Sequence, residues 1–272
     1  MVVRKLIRPS TGWQLIDFRE LWRYKDLVYF LTVRSIKAKY AQSVLGISWA
    51  IIQPLATAII FTIVFGRFAR VDTGDVPYLL FSFLALWPWN YFSATLTDSS
   101  LSLVNNSQII TKVYFPRIAL PLSTAFSKLL DFIVAFFVVA ALLIYFRVSP
   151  HWAIIWLPLL LLQLLSASLG VGLILSAMAV QYRDVKHAIT FLVQLLMYAA
   201  PVVYSTHAVP GRFTFWYSLN PMVGVIEGFR AAFLGDILPW DWIWPGSIVS
   251  ALILFCGLFY FRRMERIFAD VA

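Results

Sequence analysis

Residues 43–66, SVLGISWAIIQPLATAIIFTIVFG, form 24 consecutive positions without a charged side chain. As a helix rising about 1.5 Å per residue, such a run reaches roughly 36 Å, more than the ~30 Å hydrocarbon core of a bilayer. Further apolar runs follow at about 76–97, 118–146, 152–180, 188–206 and 242–261. No soluble core could hide so many long apolar segments. Only 13% of the 272 residues are charged, against roughly 25% in a soluble domain, so lipid must be part of the solvent. The expectation is an all-α polytopic membrane protein of six transmembrane helices, with residues 41–261 as its transmembrane domain.

Several details within these runs bear on function. Pro54 lies inside the first run and should bend it, because proline removes a helical hydrogen bond and crowds the preceding turn. The segment Trp87-Pro88-Trp89-Asn90 in the second run suggests a broken or kinked helix. Lys128 and Asp131 interrupt the third run one turn apart, and either pair with each other or face a polar cavity. The polar connection 98–117 and the short basic turn QYRDVKH at 181–187 separate runs. Residues 207–241 are too polar to cross twice and too apolar for an ordinary loop, which predicts an extracytoplasmic re-entrant helical hairpin covered by protein or by a water-filled cavity.

Before the first run, residues 1–40 interleave basic side chains with Trp, Phe and Leu at helical spacing. An amphipathic helix over about 17–39, lying in the cytoplasmic interface, is the expected result. The segment MVVRKLIRPSTGWQLIDFRE has neither the apolar core nor the small-residue site of a signal peptide, so the first transmembrane helix is expected to insert the chain uncleaved. The net charge of +9 does not point to nucleic acid, because the basic residues flank the apolar runs. With six spans and both termini cytoplasmic, 16 of the 22 Lys and Arg fall inside and 5 outside, as the positive-inside rule requires. That placement makes 1–40 a cytoplasmic N-terminus, 98–117 a cytoplasmic segment and 262–272 a cytoplasmic tail.

The chemistry of an enzyme is missing. His151, His187 and His207 each stand at an expected span edge, Cys256 is the only cysteine, and no HExxH or paired cysteines suggest a metal site. No GxxxxGK[ST] occurs, so the chain is expected to hydrolyse no nucleotide itself.

Two stretches carry a resemblance. Tyr40-Ala-Gln-Ser-Val-Leu-Gly-Ile-Ser-Trp-Ala-Ile-Ile-Gln-Pro54 contains LGxxWxxxxP at the start of the first run, and Asn105-Asn-Ser-Gln-Ile-Ile-Thr-Lys-Val-Tyr-Phe-Pro-Arg117 precedes the third. With Asn220-Pro221 and Glu227-Gly228-Phe229-Arg230, these resemble the membrane subunit of ABC-2 type exporters, and within them the bacterial polysaccharide exporters of O-antigen, capsule and teichoic acid. The resemblance covers essentially the whole chain.

It implies a homodimeric half-transporter of the bacterial inner membrane. Two copies of a separate cytosolic ATPase would bind ATP and Mg, with no cofactor on this chain. The cargo would be an undecaprenyl-diphosphate-linked glycan, O-antigen in the first place, as in lipopolysaccharide biosynthesis. By the same resemblance, Asn105, Asn106, Lys112, Phe115, Pro116 and Arg117, with Arg183 and Asp184 on the second turn, would couple to the ATPase. Arg34, Lys37, Lys39, Gly46, Trp49, Pro54, Trp87 and Trp89 are candidates for the entrance or channel. On physical grounds, Gly46 would permit close helix approach, and Trp49 would anchor the first run. Asn220, Pro221, Glu227 and Arg230 belong to the extracytoplasmic hairpin. Capsule or teichoic-acid export, ABC-2 export of drugs or small lipids, and a secondary carrier remain alternatives.

Overall fold

The computed structural model describes residues 18–41, 43–235 and 237–265, and those residues form helices and turns without a strand. In chain order the helices are α1 (Phe18–Arg23), α2 (Lys25–Tyr40), α3 (Trp49–Phe61), α4 (Tyr78–Asn105), α5 (Ser107–Ile110), α6 (Ala119–Phe146), α7 (Leu157–Gln181), α8 (Val185–Ala199), α9 (Thr214–Ser218), α10 (Pro221–Leu234) and α11 (Trp240–Met264). A 3-10 turn before α3 and a π turn after it extend the first apolar helix to Gly46–Phe68, and a 3-10 turn from Trp152 leads into α7. Residues 1–17 of the expected cytoplasmic N-terminus, and 266–272 of the expected tail, lie outside the described residues.

The expectation of six transmembrane helices is corrected. Among the described residues, four helices are long and apolar enough to cross a bilayer: Gly46–Phe68, Ala119–Phe146, Trp152–Gln181 and Trp240–Met264. The run at 76–97 lies in α4, which has 28 residues but continues through Asp98, Ser99, Ser100 and Ser102. The serines are tolerated because protein surrounds them, and Asp98, half exposed, because it pairs with Lys128. Ser99 contacts the Pro121 carbonyl and the Thr124 hydroxyl, at 3.2 and 2.9 Å, and Ser100 donates to the Leu96 carbonyl. The run at 188–206 becomes α8, whose 15 residues extend only about 22 Å. Pro201 stops it, holding Ala200 in an extended conformation as residues before proline are held. The 16-to-5 charge comparison presupposes six spans and therefore does not fix the orientation.

Other local expectations are also revised. The helix is not broken at Trp87-Pro88, because α4 is continuous from Tyr78 to Asn105. Its last two turns absorb residues 98–105 of the expected connection 98–117, leaving only α5 and the turns beside it. Gly46 does not mediate close packing: its φ is +51° and open space lies where a Cβ would stand. It is a left-handed turn residue. Close approach occurs between α7 and α11, where a Cβ on Gly257 would come within 2.4 Å of the Gly170 carbonyl oxygen.

α4 is the packing axis. It runs antiparallel to α6, with the Trp87 indole donating to the Phe132 carbonyl at 2.9 Å and Tyr91 to the Ala125 carbonyl at 3.1 Å. Trp87 stacks on Phe132 and meets Phe229 edge-on, tying α4, α6 and α10 into one aromatic core. A second core gathers Val28, Leu103, Phe115, Leu120, Phe261 and Met264 at the opposite end of α4. The bundle thus has two ends. One carries α1, α5, the 182–184 turn and the end of α11, and the other carries α9, α10 and the start of α4.

Candidate functional site

α2 does not lie across the bundle. Thr32 Oγ1 stands 3.4 Å from the Ser123 carbonyl, and Lys39 Nζ stands 2.5 Å from Asp131 Oδ2. Seven residues on α2 therefore match eight on α6, so the two helices run side by side in the same direction. The inner face of α2 buries Val28 and Leu31, while Tyr29 and Phe30 are exposed.

Where α2 ends, it meets α3, α4 and α6 around a cavity of about 180 Å³. Trp49, Gln53 and Pro54 of the first span face it, with Trp87, Asn90 and Tyr91 of α4, Lys128 and Asp131 of α6, and Lys39. Lys128 and Asp131 share a face of α6 but do not pair with each other. Lys128 pairs with Asp98 of α4, and Asp131 binds Lys39 through one oxygen and the Tyr40 hydroxyl through the other. The polar-cavity alternative therefore describes these two residues. The Lys128 side chain is only 13% exposed, and the Asp98 carboxylate offsets part of the cost of burying it. Burial, reinforced by the Asp131 carboxylate, holds the Tyr40 hydroxyl well above its ordinary pKa, so it stays protonated and donates a hydrogen bond to Asp131.

Of the expected entrance residues, Lys39, Trp49, Pro54 and Trp87 line this cavity, and Arg34, Lys37, Gly46 and Trp89 do not. Arg34 and Lys37 are exposed along α2, and Trp89 is buried against Phe92. Asn90, Gln53 and Asp98 are the residues that sequence reasoning missed. A strongly polar residue inside an apolar run was the signal for Asn90 and Gln53, whereas Asp98 opens the polar stretch 98–117 and had none of its own.

The expected coupling residues sit at the bundle end with α1 and α5. Asn105 and Lys112 are exposed, Asn106 ends α4 and donates its side-chain amide to the Ser102 carbonyl at 2.8 Å, and Phe115 and Pro116 are buried. The Arg117 backbone N–H donates to Glu265 Oε1 at 3.1 Å, and its guanidinium donates to the Glu265 carbonyl at 2.8 Å. Arg262 pairs with the same carboxylate at 2.6 Å. Tyr114, near Glu20 of α1, has its pKa raised by burial and by that carboxylate. Arg183 and Asp184 are exposed on the turn between α7 and α8. The end of the last span is thereby clamped to the segment before α6, a contact across 148 residues that no local pattern announced.

At the other end Asn220 caps α10, accepting from the Met222 N–H and donating to the Ala199 carbonyl at 3.0 Å, and Pro221 occupies its first turn. Arg230 is buried. Its guanidinium pairs with Glu227 at 2.8 Å, donates to the Val202, Tyr204 and Phe81 carbonyls, and lies 3.5 Å from the Phe81 ring. Burial presses its pKa down, and Glu227 opposes that shift. The site residues thus fall into three separate groups, and the cavity brings Lys39, Lys128 and Asp131 to one space between helices.

Residues 26–234 match the model of the family described as ABC-2 type transporter. The O-antigen export system permease protein RfbA of Klebsiella pneumoniae is 28% identical over 247 residues, covering 90% of this chain and 95% of its own. The protein of the same name from Myxococcus xanthus is 28% identical over 93% of this chain and 97% of its own. The polysialic acid transport protein KpsM of Escherichia coli is 23% identical over 89% of this chain and 94% of its own.

Proposed function

We propose that this chain, which belongs to the ABC-2 type transporter family, exports a lipid-linked polysaccharide, with O-antigen as the favoured cargo. The family's membrane chain is a non-catalytic transport subunit, and no bond is made or broken here. A second copy completes the translocation path, and two copies of a separate ATPase, binding ATP and Mg, supply the motion. In this reading the α1 and α5 end faces the cytoplasm of a bacterial inner membrane, with both termini inside. Lys112, Arg117, Arg183, Lys186, Arg262 and Arg263 lie toward that end, as the positive-inside rule favours. α9 and α10 then cap the outer side.

The observation that carries this reading is the likeness to O-antigen permeases over nine-tenths of the chain. The cavity supports it, because two lysines and neutral donors suit the diphosphate of an undecaprenyl-diphosphate-linked glycan arriving beside α2. The 105–117 segment is the ATPase contact. Phe115 and Pro116 are its buried footing, and Lys112, Arg183 and Asp184 are exposed toward a partner. Capsule export is the second reading, favoured by the likeness to the polysialic acid transport protein.

The test is the ATPase rate of the purified complex with its nucleotide-binding partner in lipid, with and without undecaprenyl-diphosphate-linked O-antigen. Stimulation that disappears when residues 105–117 are altered is the expected result. A complex that hydrolyses ATP and ignores O-antigen and capsule glycolipids alike overturns the cargo assignment.

A further inference from the structure

The cavity poses an electrostatic question that binding a diphosphate must answer. Both of its lysines already hold carboxylates: Asp131 on Lys39 and Asp98 on Lys128. The two carboxylates differ in position. Asp98 is 47% exposed and is not among the residues facing the cavity, whereas Asp131 is 24% exposed and faces it. An anion that enters therefore meets Asp131 directly. Asp131 is also the joint between two elements, since it alone receives both Lys39 and Tyr40 from the end of α2.

We propose that the cavity is a diphosphate site closed by an internal counter-ion, in which Asp131 occupies the Lys39 position that a phosphoryl group takes over. The proposal rests on the cargo reading above and adds the recognition step to it. Without ligand, the two lysines and two aspartates neutralise one another and pin the end of α2 to α6. An arriving diphosphate takes Lys39 and Lys128 as cations, with Asn90 and Gln53 as neutral donors. Its charge repels the displaced Asp131, which leaves Lys39 and Tyr40 without their hold on α6. Headgroup binding and release of α2 are then one event. A phosphoryl group, with more oxygens and more charge than a carboxylate, wins the exchange because it can engage both lysines at once.

The sign of one substitution separates this from an ordinary structural ion pair. Asp131→Asn removes the competing charge and should tighten diphosphate binding by roughly tenfold, because a like charge at the site disfavours the anion. Lys39→Gln and Lys128→Gln should each weaken it by about tenfold or more, since each removes a charge-assisted contact. Lys39→Arg, which keeps the cation, should retain binding.

The experiment uses the full chain in lipid nanodiscs, checked for monodispersity, without the ATPase. Binding of undecaprenyl diphosphate, which bears no sugar, is titrated for the wild type and the four variants. Inorganic pyrophosphate and phosphatidylglycerol serve as competitors. Competition by pyrophosphate identifies the phosphoryl groups as the recognised chemistry. Equal competition by phosphatidylglycerol marks a general anionic-lipid surface and overturns the proposal. Unchanged or weaker binding in Asp131→Asn, in a variant that remains monodisperse, overturns the counter-ion exchange. Because neither sugar nor ATPase is present, these outcomes are independent of the glycan-stimulation test. Binding with the expected signs in a complex that ignores glycolipids would remove the cargo reading alone.

Discussion

Arg230 offers the sharpest test of how the α10 end is held. Its side chain is 3% exposed, and the guanidinium serves Glu227, Tyr204, Val202 and Phe81 at 2.8, 3.3, 3.2 and 3.5 Å. Three elements meet there: α10 itself, the 202–204 turn after α8, and the first turns of α4. Arg230→Met keeps most of the volume and deletes the donors. The Glu227 carboxylate, 15% exposed, is then left without its cation, and removing one partner of a buried pair costs about 3–5 kcal/mol. Arg230→Lys should recover little, because one ammonium cannot reach acceptors spread around a planar fork.

Most of that loss is the penalty of stranding Glu227. The double variant Arg230→Met/Glu227→Gln should therefore be more stable than Arg230→Met alone, by roughly half the single-variant loss. Unfolding in mixed SDS micelles, followed by tryptophan fluorescence, reads these differences. A single-variant cost below about 1 kcal/mol would refute the reasoning, as would effects that add within about 0.5 kcal/mol. Either result would mean that water or lipid headgroups already satisfy these groups.

Three further outcomes follow from the packing and the charges. Gly257→Ala drives a methyl against the Gly170 carbonyl, 2.4 Å from the ideal Cβ position, and should destabilise the α7–α11 contact by about 1–3 kcal/mol in the same micelle assay. Glu265→Ala removes the acceptor of the Arg117 N–H and the partner of Arg262; ATP hydrolysis by the assembled complex should persist while glycan transfer into vesicles falls, and equal loss of both would count against the clamp as a coupling element. Tyr40 has its pKa raised from 10.0 by burial first and Asp131 second. Its neutral form is thus favoured on folding, and its contribution is complete below pH 10 and lost as pH rises toward the folded-state value. Stability should fall more steeply with pH above 10 in the wild type than in Tyr40→Phe.

What could be read from the sequence was local. The apolar runs at 43–66, 118–146, 152–180 and 242–261 each became a helix able to cross a bilayer, because apolarity and length along one segment settle that question. The runs at 76–97 and 188–206 misled for opposite reasons. α4 is wet with serines that protein satisfies, so its environment is set by α6, α7 and α10 rather than by its own composition. α8 is cut short by a proline that hydropathy does not weigh. Lys128 and Asp131 stood out as charges in an apolar run, yet their partners, Asp98 and Lys39, come from other helices. Partner choice depends on how α4 and α2 lie against α6, and no spacing within α6 encodes that. Gly46 shows the same gap at small scale, since a glycine in an apolar run can serve a turn or a close contact, and only the backbone angle decides.

The two ends of the proposed transport cycle are physically closer than their separation in sequence suggests. Asp98, which holds Lys128 at the cavity, lies two turns along α4 from Asn105, where the proposed ATPase-contact segment begins. A displacement of that segment therefore reaches the cavity through a single continuous helix, with Ser99 bonded to Pro121 and Thr124 keeping the α4–α6 register as it passes. The Arg117–Glu265 contact also joins that segment to α11, which packs closely against α7 at the Gly170–Gly257 crossing. α3 has no such attachment at its exposed outer face. It meets the bundle mainly along α4 and α6, beside the cavity. Motion arriving through α4 should thus change the cavity wall between rigidly coupled α4 and weakly held α3, which is where a headgroup that frees α2 would need space to enter.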